Sequence, residues 1–573
     1  MTLNSVEYNT NLVIDWTGPE KPPVRPNEKI GVFIDALIEK YPDKCELQTD
    51  GKTIYLPLEK GTAKAMSVDE DGNIMWTELE AVTRHPPINK DGSNTLVKII
   101  TESGREAIAT KAKSFLVWKD GKIIDKEGSD LQIGDLIPIV NHSKAQDFRT
   151  HIDLKTILNP REVVFTDYMI EAKKIMIIAN KTGPRTTWFH LIKDKVPYNR
   201  SDTLRVTIER AMIANGEDVE TVNIRANDVK AEKTKLMFVP GKVYPKSWGK
   251  FADKKVNGIP SEIELDKEFG FLIGAYLAEG CVTDFQVCIA NNNENYRKMA
   301  TAWSDRQNIS NRLNISNCGG PELNNGNDVT STSICIHSTI LRHLLVEICG
   351  RGSYQKRVPE FAYAAPDCFV EGLLDAYICG DGSIDKRCGR MTASSRSKLL
   401  RDGISLLLSR MGIFNKLSES TLINKKDQKD PEGIEKPIFF VNTYANSAAN
   451  LSKFITAIDY KLKGLVDNIK QNKYKCTCGK TVTTEKSLIR HKRQYCKLGN
   501  GINDTIFDPI ISIEDFLSEH LYVYDLTVEK TRNMTILNGI HQKDTFHLIA
   551  RWEKYPAGKR FPEKQLSSTR ARC

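Results

Sequence analysis

Two apolar stretches each end in an acid followed by glycine. The first is Leu272-Ile273-Gly274-Ala275-Tyr276-Leu277-Ala278-Glu279-Gly280 and the second is Leu374-Asp375-Ala376-Tyr377-Ile378-Cys379-Gly380-Asp381-Gly382. Carboxylates are hard oxygen ligands, so Glu279 and Asp381 suit Mg2+ rather than zinc. A second constellation, Cys476-x-Cys478-x12-His491-x4-Cys496, offers thiolates and an imidazole at spacings that suit tetrahedral zinc, with Leu488 three residues before the histidine and basic residues around it. A third candidate is Ser5, a hydroxyl nucleophile at the head of a segment, residues 5–14, that reads as a short strand.

The elements that must carry these groups follow from periodicity. Gly274 and Ala278, then Ala376 and Gly380, recur at four-residue spacing, which puts the small residues on one face of each helix. Two such faces approach closely and deliver both acids to the same end of the pair. The acids lie 102 positions apart (279 and 381), which predicts two tandem copies of one α+β unit, separated by strands and a polar loop at 316–328. After the second acid the pattern predicts a helix from Lys398 to Met411, ending at Gly412. Both ends of the chain read as β: Thr53–Leu56, Thr95–Ile100, Ser114–Trp118, Leu131–Pro138 and Leu521–Glu529. Between them, 146–260 changes character. Helical patterns are predicted at Tyr168–Asn180 and Asp202–Asn215. Basic and aromatic residues such as Lys181, Arg185, Trp188 and Tyr198 interleave as on a surface that meets phosphates and bases, though a solvated helical face gives the same pattern.

Composition narrows the class. A chain of 573 residues exceeds one ordinary core and predicts two or three domains. With 27% charged and 40% hydrophobic residues it reads as globular, and a net charge of +9 permits nucleic-acid binding without requiring it. Thirteen cysteines, an odd number at low density, point to reduced thiols. No signal peptide is evident at Met1–Val13 and no run of apolar residues is long enough to span a membrane, so the expectation is an intracellular protein of cytosol or nucleus.

Taken together, the ends and the middle resemble an intein carrying a LAGLIDADG homing endonuclease of the DOD type. The middle motifs are Gly274…Ala278-Glu279-Gly280 after Glu268-Phe269-Gly270, and Gly372-Leu373-Leu374-Asp375…Gly380-Asp381-Gly382. Ser5 with Thr10 resembles the first splicing block, and Gly104-Arg105…Thr110-x-x-Lys113-Ser114-Phe115 the second. Val523–Val528 and Asn538-Gly539-Ile540…Asp544-Thr545 resemble the last two. Removing 5–544 joins Met1-Thr2-Leu3-Asn4 to Thr545-Phe546-His547, a join that resembles a motif of the RNA polymerase largest subunit. The resemblance therefore implies a polymerase host, of which almost nothing else is present. The tail after Leu548 does not resemble the expected host continuation.

The resemblance implies an all-β Hint splicing domain formed by both ends of the chain. It is interrupted by an α+β endonuclease of two pseudo-twofold repeats and by a small zinc-finger-like module. The expected boundaries are 1–4 for a host flank, 5–145 and 505–544 for the splicing domain, 146–260 for DNA recognition, 261–465 for the endonuclease, 474–497 for the zinc module and 545–573 for the downstream flank and tail. It implies Ser5 and Thr545 as nucleophiles, Asp544 as the residue that cleaves its own peptide bond, Thr110 and Asp525 as aligning groups, and Lys113 at the base position. Three residues depart from the usual pattern: Lys113 and Lys543 stand where His is usual, and Asp544 where Asn is usual. On the nuclease side it implies Mg2+ at Glu279 and Asp381, hydrolysis of both strands of double-stranded DNA at the intein-free host gene, and Lys356 as a transition-state cation. A monomer with no membrane partner is expected. The runner-up reading is a remnant inactive in splicing and cleavage, or a protein of another class that binds nucleic acid through its zinc site, with acid-ended helices of purely architectural use.

Overall fold

The structure, a computed structural model, describes residues 4–18, 20–48, 50–89, 92–112, 114–143, 149–159, 162–167, 241–245, 258–317, 330–385, 389–423, 435–444, 474–476, 481–482, 485–494 and 499–544. The chain divides into two units. One comprises Met1–Phe148, Lys356–Asp367 and Asp381–Cys573, the other Arg149–Gln355 and Cys368–Gly380. The predicted helices at 168–180 and 202–215, the basic and aromatic cluster near 181–200, most of the 316–328 loop, Lys113, Cys478, Cys496 and Thr545 lie outside the described residues.

In the first unit, β-rich segments from the two ends of the chain interleave. The long strand Ile74–His85 pairs with Ile54–Pro57 and Ala63–Val68 from its own neighbourhood and with Val523–Val528 from the far end, with Asp525 opposite Thr83. A second sheet runs Asn533–Thr535, His541–Lys543, Phe115–Lys119, Leu136–Val140, Thr505–Phe516, Leu96–Thr101, Glu106–Ala109. Val140 is opposite Thr505, and the ladder continues to Leu136 opposite Pro509. Every residue of Val523–Val528 is buried, Asp525 and Thr527 included, so both faces of this strand are covered.

Three sequence expectations need correction here. The first stretch is not all β: Ile30–Lys40 forms a helix (α1) whose Ile30, Phe33, Ile34 and Leu37 are buried. That i, i+3, i+4, i+7 pattern was present in the sequence. Residues 5–14 are not a continuous strand. Val6 and Leu12 make isolated bridges, a turn closed by Thr10 N–H on the Glu7 carbonyl (3.0 Å) separates them, and the strand proper is Ile14–Trp16. Nor does a strand run from Leu131: Gly134 turns the chain at φ +95°, and the strand begins at Leu136.

The tandem units are as predicted. The first is helix α2 (Lys267–Glu279), strands Gly280–Val282 and Val287–Ala290, helix α3 (Glu294–Arg306), strands Asn311–Asn317 and Thr330–Ile336, then helix α4 (Thr339–Cys349). The second is helix α5 (Asp367–Asp381), strands Gly382–Asp385 and Arg390–Ser395, helix α6 (Lys398–Arg410), and strands Asn415–Ile423 and Glu435–Thr443. Each four-stranded sheet has the same order: first, second, fourth, third. Side-chain caps start the helices: Asp266 accepts from Phe269 N–H (2.8 Å), Asn293 from Tyr296 N–H (3.0 Å) and Ser397 from Leu400 N–H (3.2 Å). A short antiparallel pair, Tyr474–Lys475 with Thr481–Val482, precedes helix α7 (Glu485–Gln494).

Helices α2 and α5 touch backbone to backbone. A methyl group on Gly270 would collide with the Phe369 carbonyl, one on Gly274 with the Leu373 carbonyl, and one on Gly372 with the Lys267 carbonyl. The small-residue face therefore extends a turn earlier than Gly274 and Ala376 suggested. At the other end, a Cβ on Gly380 would lie 3.0 Å from Glu279 Cγ. Because rigid carbonyls rather than flexible side chains fill the space, Gly274→Ala is expected to destabilise this helix pair by about 1–3 kcal/mol. The check is a lower midpoint for the second unit's transition in denaturant. An unchanged midpoint would show that the helices separate without cost.

Candidate active sites

The first site lies where the chain ends meet. Val6 and Tyr524 exchange backbone hydrogen bonds (2.9 and 3.1 Å), Glu7 N–H donates to the Ile108 carbonyl (3.1 Å) and Thr110 N–H to the Ser5 carbonyl (2.9 Å). Ser5 is thus held between the Glu106–Ala109 and Val523–Val528 strands, fully buried. The N–H of the Asn4–Ser5 bond donates to Ser114 Oγ (3.3 Å), and Ser114 Oγ is 2.7 Å from Thr110 Oγ1. Thr110, expected as an aligning residue, reaches Ser5 through its own N–H and through Ser114.

Ser5 Oγ is in contact with the Asn4 carbonyl oxygen and lies 2.7 Å from His85 Nε2. His85 Nδ1 is 2.8 Å from the Pro86 carbonyl. A carbonyl only accepts, so Nδ1 carries the proton and Nε2 offers a lone pair to the Ser5 hydroxyl. Burial pushes the His85 ring down to about 4, against a smaller opposing pull from the Pro86 carbonyl and from Asp50. His85 has no place among the residues read from sequence, and Ser114 has only a position in the second splicing block, with no role. Their contacts with residue 5 span 109 and 80 positions, which no local pattern reveals.

The downstream junction sits beside the upstream one. Asn4 Nδ2 donates to the Asp544 carbonyl (2.9 Å) across 540 positions, and Lys543 N–H donates to the Ser114 carbonyl (3.1 Å). Ser114 thereby holds both junctions, one through its hydroxyl and one through its backbone. The Asp544 carboxyl accepts from Val528 N–H (2.8 Å), while its other oxygen is buried with no hydrogen-bond partner among the described residues. Desolvation raises this carboxyl to about 7. Asp525 is buried, and its carboxyl accepts from Leu526 N–H (2.8 Å). The Lys543 ammonium is 3.7 Å from Asp125. His541 is buried, with Nδ1 2.9 Å from Thr535 Oγ1 and Nε2 unpartnered among the described residues. Burial pushes it down to about 3.

A buried cation braces the loop before these residues. Arg105 donates to the Asn538 carbonyl (2.8 Å), to Ser103 Oγ (2.6 Å) and to the Asn415 carbonyl (2.8 Å), and its guanidinium lies 4.9 Å from the centre of the Phe414 ring. Asn538 Nδ2 in turn donates to the Glu106 carbonyl (2.7 Å). Asn415 and Phe414 belong to the second α+β copy, so that copy and the loop share one buried charge.

The second candidate site is the acid end of the helix pair. Glu279 is half-buried at the end of α2, and Asp381, the last residue of α5, is exposed. Gly380 sets α5 against Ala278 and Glu279. Lys356 is buried in the first unit. Among the described residues no three His, Cys, Asp or Glu side chains are grouped as a metal would require. Of the expected zinc ligands, Cys476 is buried directly after strand Tyr474–Lys475 and His491 lies on α7, and the other two lie outside the described residues. No helix among the described residues is long and apolar enough to cross a membrane.

A family model for the intein splicing domain matches residues 34–542. The chain is similar to DNA-directed RNA polymerase subunit Rpo1C of Methanocaldococcus jannaschii, 27% identical over 589 residues, covering 95% of this chain and 56% of that one. It is also similar to the DNA polymerase II large subunit of Thermococcus kodakarensis, 24% identical, covering 70% of this chain and 20% of that one. The chain thus spans about half or less of the length of these relatives. Among solved structures, a transcription factor IIB Mvu mini-intein is 19% identical, covering 24% of this chain and 70% of that one with a TM-score of 0.20. I-DmoI in complex with DNA and Mn is 13% identical, covering 34% and 97% with a TM-score of 0.23.

Ser114→Ala removes the acceptor of the buried Ser5 N–H. Leaving such a donor unsatisfied costs about 1–3 kcal/mol. The expected result is that loss in the first unit's stability together with faster amide exchange at Ser5, and unchanged exchange there would remove Ser114 from the junction.

Proposed function

The chain belongs to the intein splicing family, and from that premise we propose that it excises itself from a host protein by protein splicing. The observation that carries this reading is the 2.9 Å hydrogen bond from Asn4 Nδ2 to the Asp544 carbonyl, which puts the two bonds to be broken side by side. Ser5 Oγ attacks the Asn4 carbonyl carbon and takes the acyl group as an ester. The Thr545 hydroxyl takes that acyl group by transesterification. The Asp544 carboxylate attacks its own carbonyl carbon, closing an anhydride and expelling the Thr545 amine. An O-to-N shift then leaves an Asn4–Thr545 peptide. Thr110 and Asp525 align the upstream bond, with Lys113 at the base position of the family pattern. The join between the flanks, together with the similarity to Rpo1C, supports the RNA polymerase largest subunit as host.

Only an ionised Asp544 is a nucleophile. Its carboxyl is raised to about 7, so the cleaving form is scarce below neutrality. With the chain between two reporter domains, release of the downstream reporter is expected to rise about tenfold per pH unit up to roughly pH 7 and then level off. Asp544→Asn is expected to remove that dependence, and product masses report ligated reporters and the freed 5–544 fragment. Intact precursor at every pH in a folded chain would defeat the splicing reading.

The inserted α+β pair is proposed as a site-specific endonuclease on double-stranded DNA of the uninterrupted host gene. Support comes from the repeated element order and from two helices packed so closely that their acid ends abut. Mg2+ bound at Glu279 and Asp381 would supply an activated water and a counter-charge for the leaving oxygen. The carboxylates hold the cation, and Lys356 is proposed as the cationic group of the unit. Calorimetric titration with Mg2+ is expected to show binding that weakens at least tenfold in Glu279→Gln or Asp381→Asn, alongside loss of DNA cutting. Equal binding in all three would remove the acids from the site. The zinc-finger-like module stays a proposal on its ligand spacing and ββα order, with Zn2+ tying Cys476 and Cys478 to His491 and Cys496.

A further inference from the structure

The family pattern puts the base of the first splicing step three residues after Thr110, where this chain has Lys113. A lysine is protonated at neutral pH and accepts nothing until it loses that proton. We propose that His85, at the end of the Ile74–His85 strand, is the catalytic base that activates Ser5 and returns the proton to the departing amine. The inference rests on the splicing reading above and deepens it.

Geometry carries the assignment. His85 Nε2 is 2.7 Å from Ser5 Oγ, and both residues are buried. The Pro86 carbonyl, 2.8 Å from Nδ1, fixes the tautomer, so the ring takes a proton only on the side that faces Ser5. The arrangement is that of a nucleophile, a base and an orienting acceptor, with a backbone carbonyl as the third member. The Ser5 amide is pinned separately by Ser114 Oγ (3.3 Å), which leaves Oγ free to turn between His85 and the Asn4 carbonyl.

The step balances without a co-reactant. The Oγ proton passes to Nε2 as the bond from Oγ to the Asn4 carbonyl carbon forms. The bond from that carbon to Ser5 N breaks, and Nε2–H delivers the same proton to the leaving nitrogen. The product is an ester isomeric with the starting peptide. The ring is neutral above about pH 4 because burial outweighs its charged neighbour Asp50. Asp50 is itself engaged by the Lys52 and Thr53 amides at 2.9 and 2.8 Å. The base is therefore ready across the physiological range.

The test isolates the first step in a precursor with reporters on both sides and with Thr545→Ala and Asp544→Ala, so that only the ester forms. Hydroxylamine then releases the upstream reporter in proportion to that ester. In this background the release rate is expected to fall only as pH drops toward 4. His85→Ala and His85→Gln are expected to lower it at least about 100-fold, the range of a lost general base. Added imidazole is expected to restore part of the rate to His85→Ala, which a purely structural loss would not allow. No release from the background precursor at any pH would defeat the splicing reading itself. Release from both variants at the background rate, or a background rate that climbs steadily past pH 8 as a lysine base requires, would overturn His85 while leaving splicing intact.

Discussion

Everything in the first unit depends on β ladders closed between the two ends of the chain. Val140 pairs with Thr505, Leu96–Thr101 with the far end of the same long strand, and Ile74–His85 with Val523–Val528. These pairings bring Asn4 and Asp544 within one hydrogen bond. They also explain how so much chain can be placed between partners. The entropy of closing a loop grows with the logarithm of its length, about 0.6 kcal/mol per doubling, so hundreds of inserted residues cost little more than dozens. The ladder is a two-ended clamp, and the insertion is tolerated because the clamp does not register its length.

The insertion is nevertheless not a passive passenger of the first unit. Arg105 is buried, and desolvation works against its charge. It persists because acceptors surround it: Ser103 from its own hairpin, Asn538 from the loop that leads to the downstream junction, and Asn415 from the second α+β copy. Asp508 contributes the counter-charge and is held by Ser103 in turn. A single guanidinium thus couples the packing of an inserted repeat to the position of the Asn538 loop. Removing one member of such a set costs more than its own hydrogen bond, since the polar groups left behind have no water to turn to.

How much of this was legible follows from how far apart the cooperating residues stand. Glu279 and Asp381 were readable because the glycines and alanines before them repeat at helical spacing, and the same rule could have reached Gly270 and Gly372 one turn earlier. The helix Ile30–Lys40 had a readable apolar stripe that the neighbouring strand signals obscured. Ser5 and Asp544 came from a resemblance, and the 2.9 Å bond that joins their junctions then needed the fold. His85 was beyond reach, because a histidine ending a strand carries no pattern of its own, and the block that contains Ser114 does not disclose what its hydroxyl contacts. Their meaning comes from a hydrogen bond made across sheets, which only register and twist determine.

One physical cause sets the resting state of the junction site. Ser5, His85, His541 and Asp544 are all buried. Burial disfavours the charged form of any group, so it lowers the two imidazoles to about 4 and 3 and raises the carboxyl to about 7. The same desolvation thus favours a neutral imidazole beside Ser5 and the protonated carboxyl of Asp544. In the proposed splicing reaction that asymmetry favours the upstream step at low pH. An acyl shift that merely relays a proton can proceed in a dry, neutral pocket, whereas cleavage by Asp544 needs a charge that the pocket resists. In the proposed reaction the upstream ester precedes the downstream cut, the order that ligation of the flanks requires.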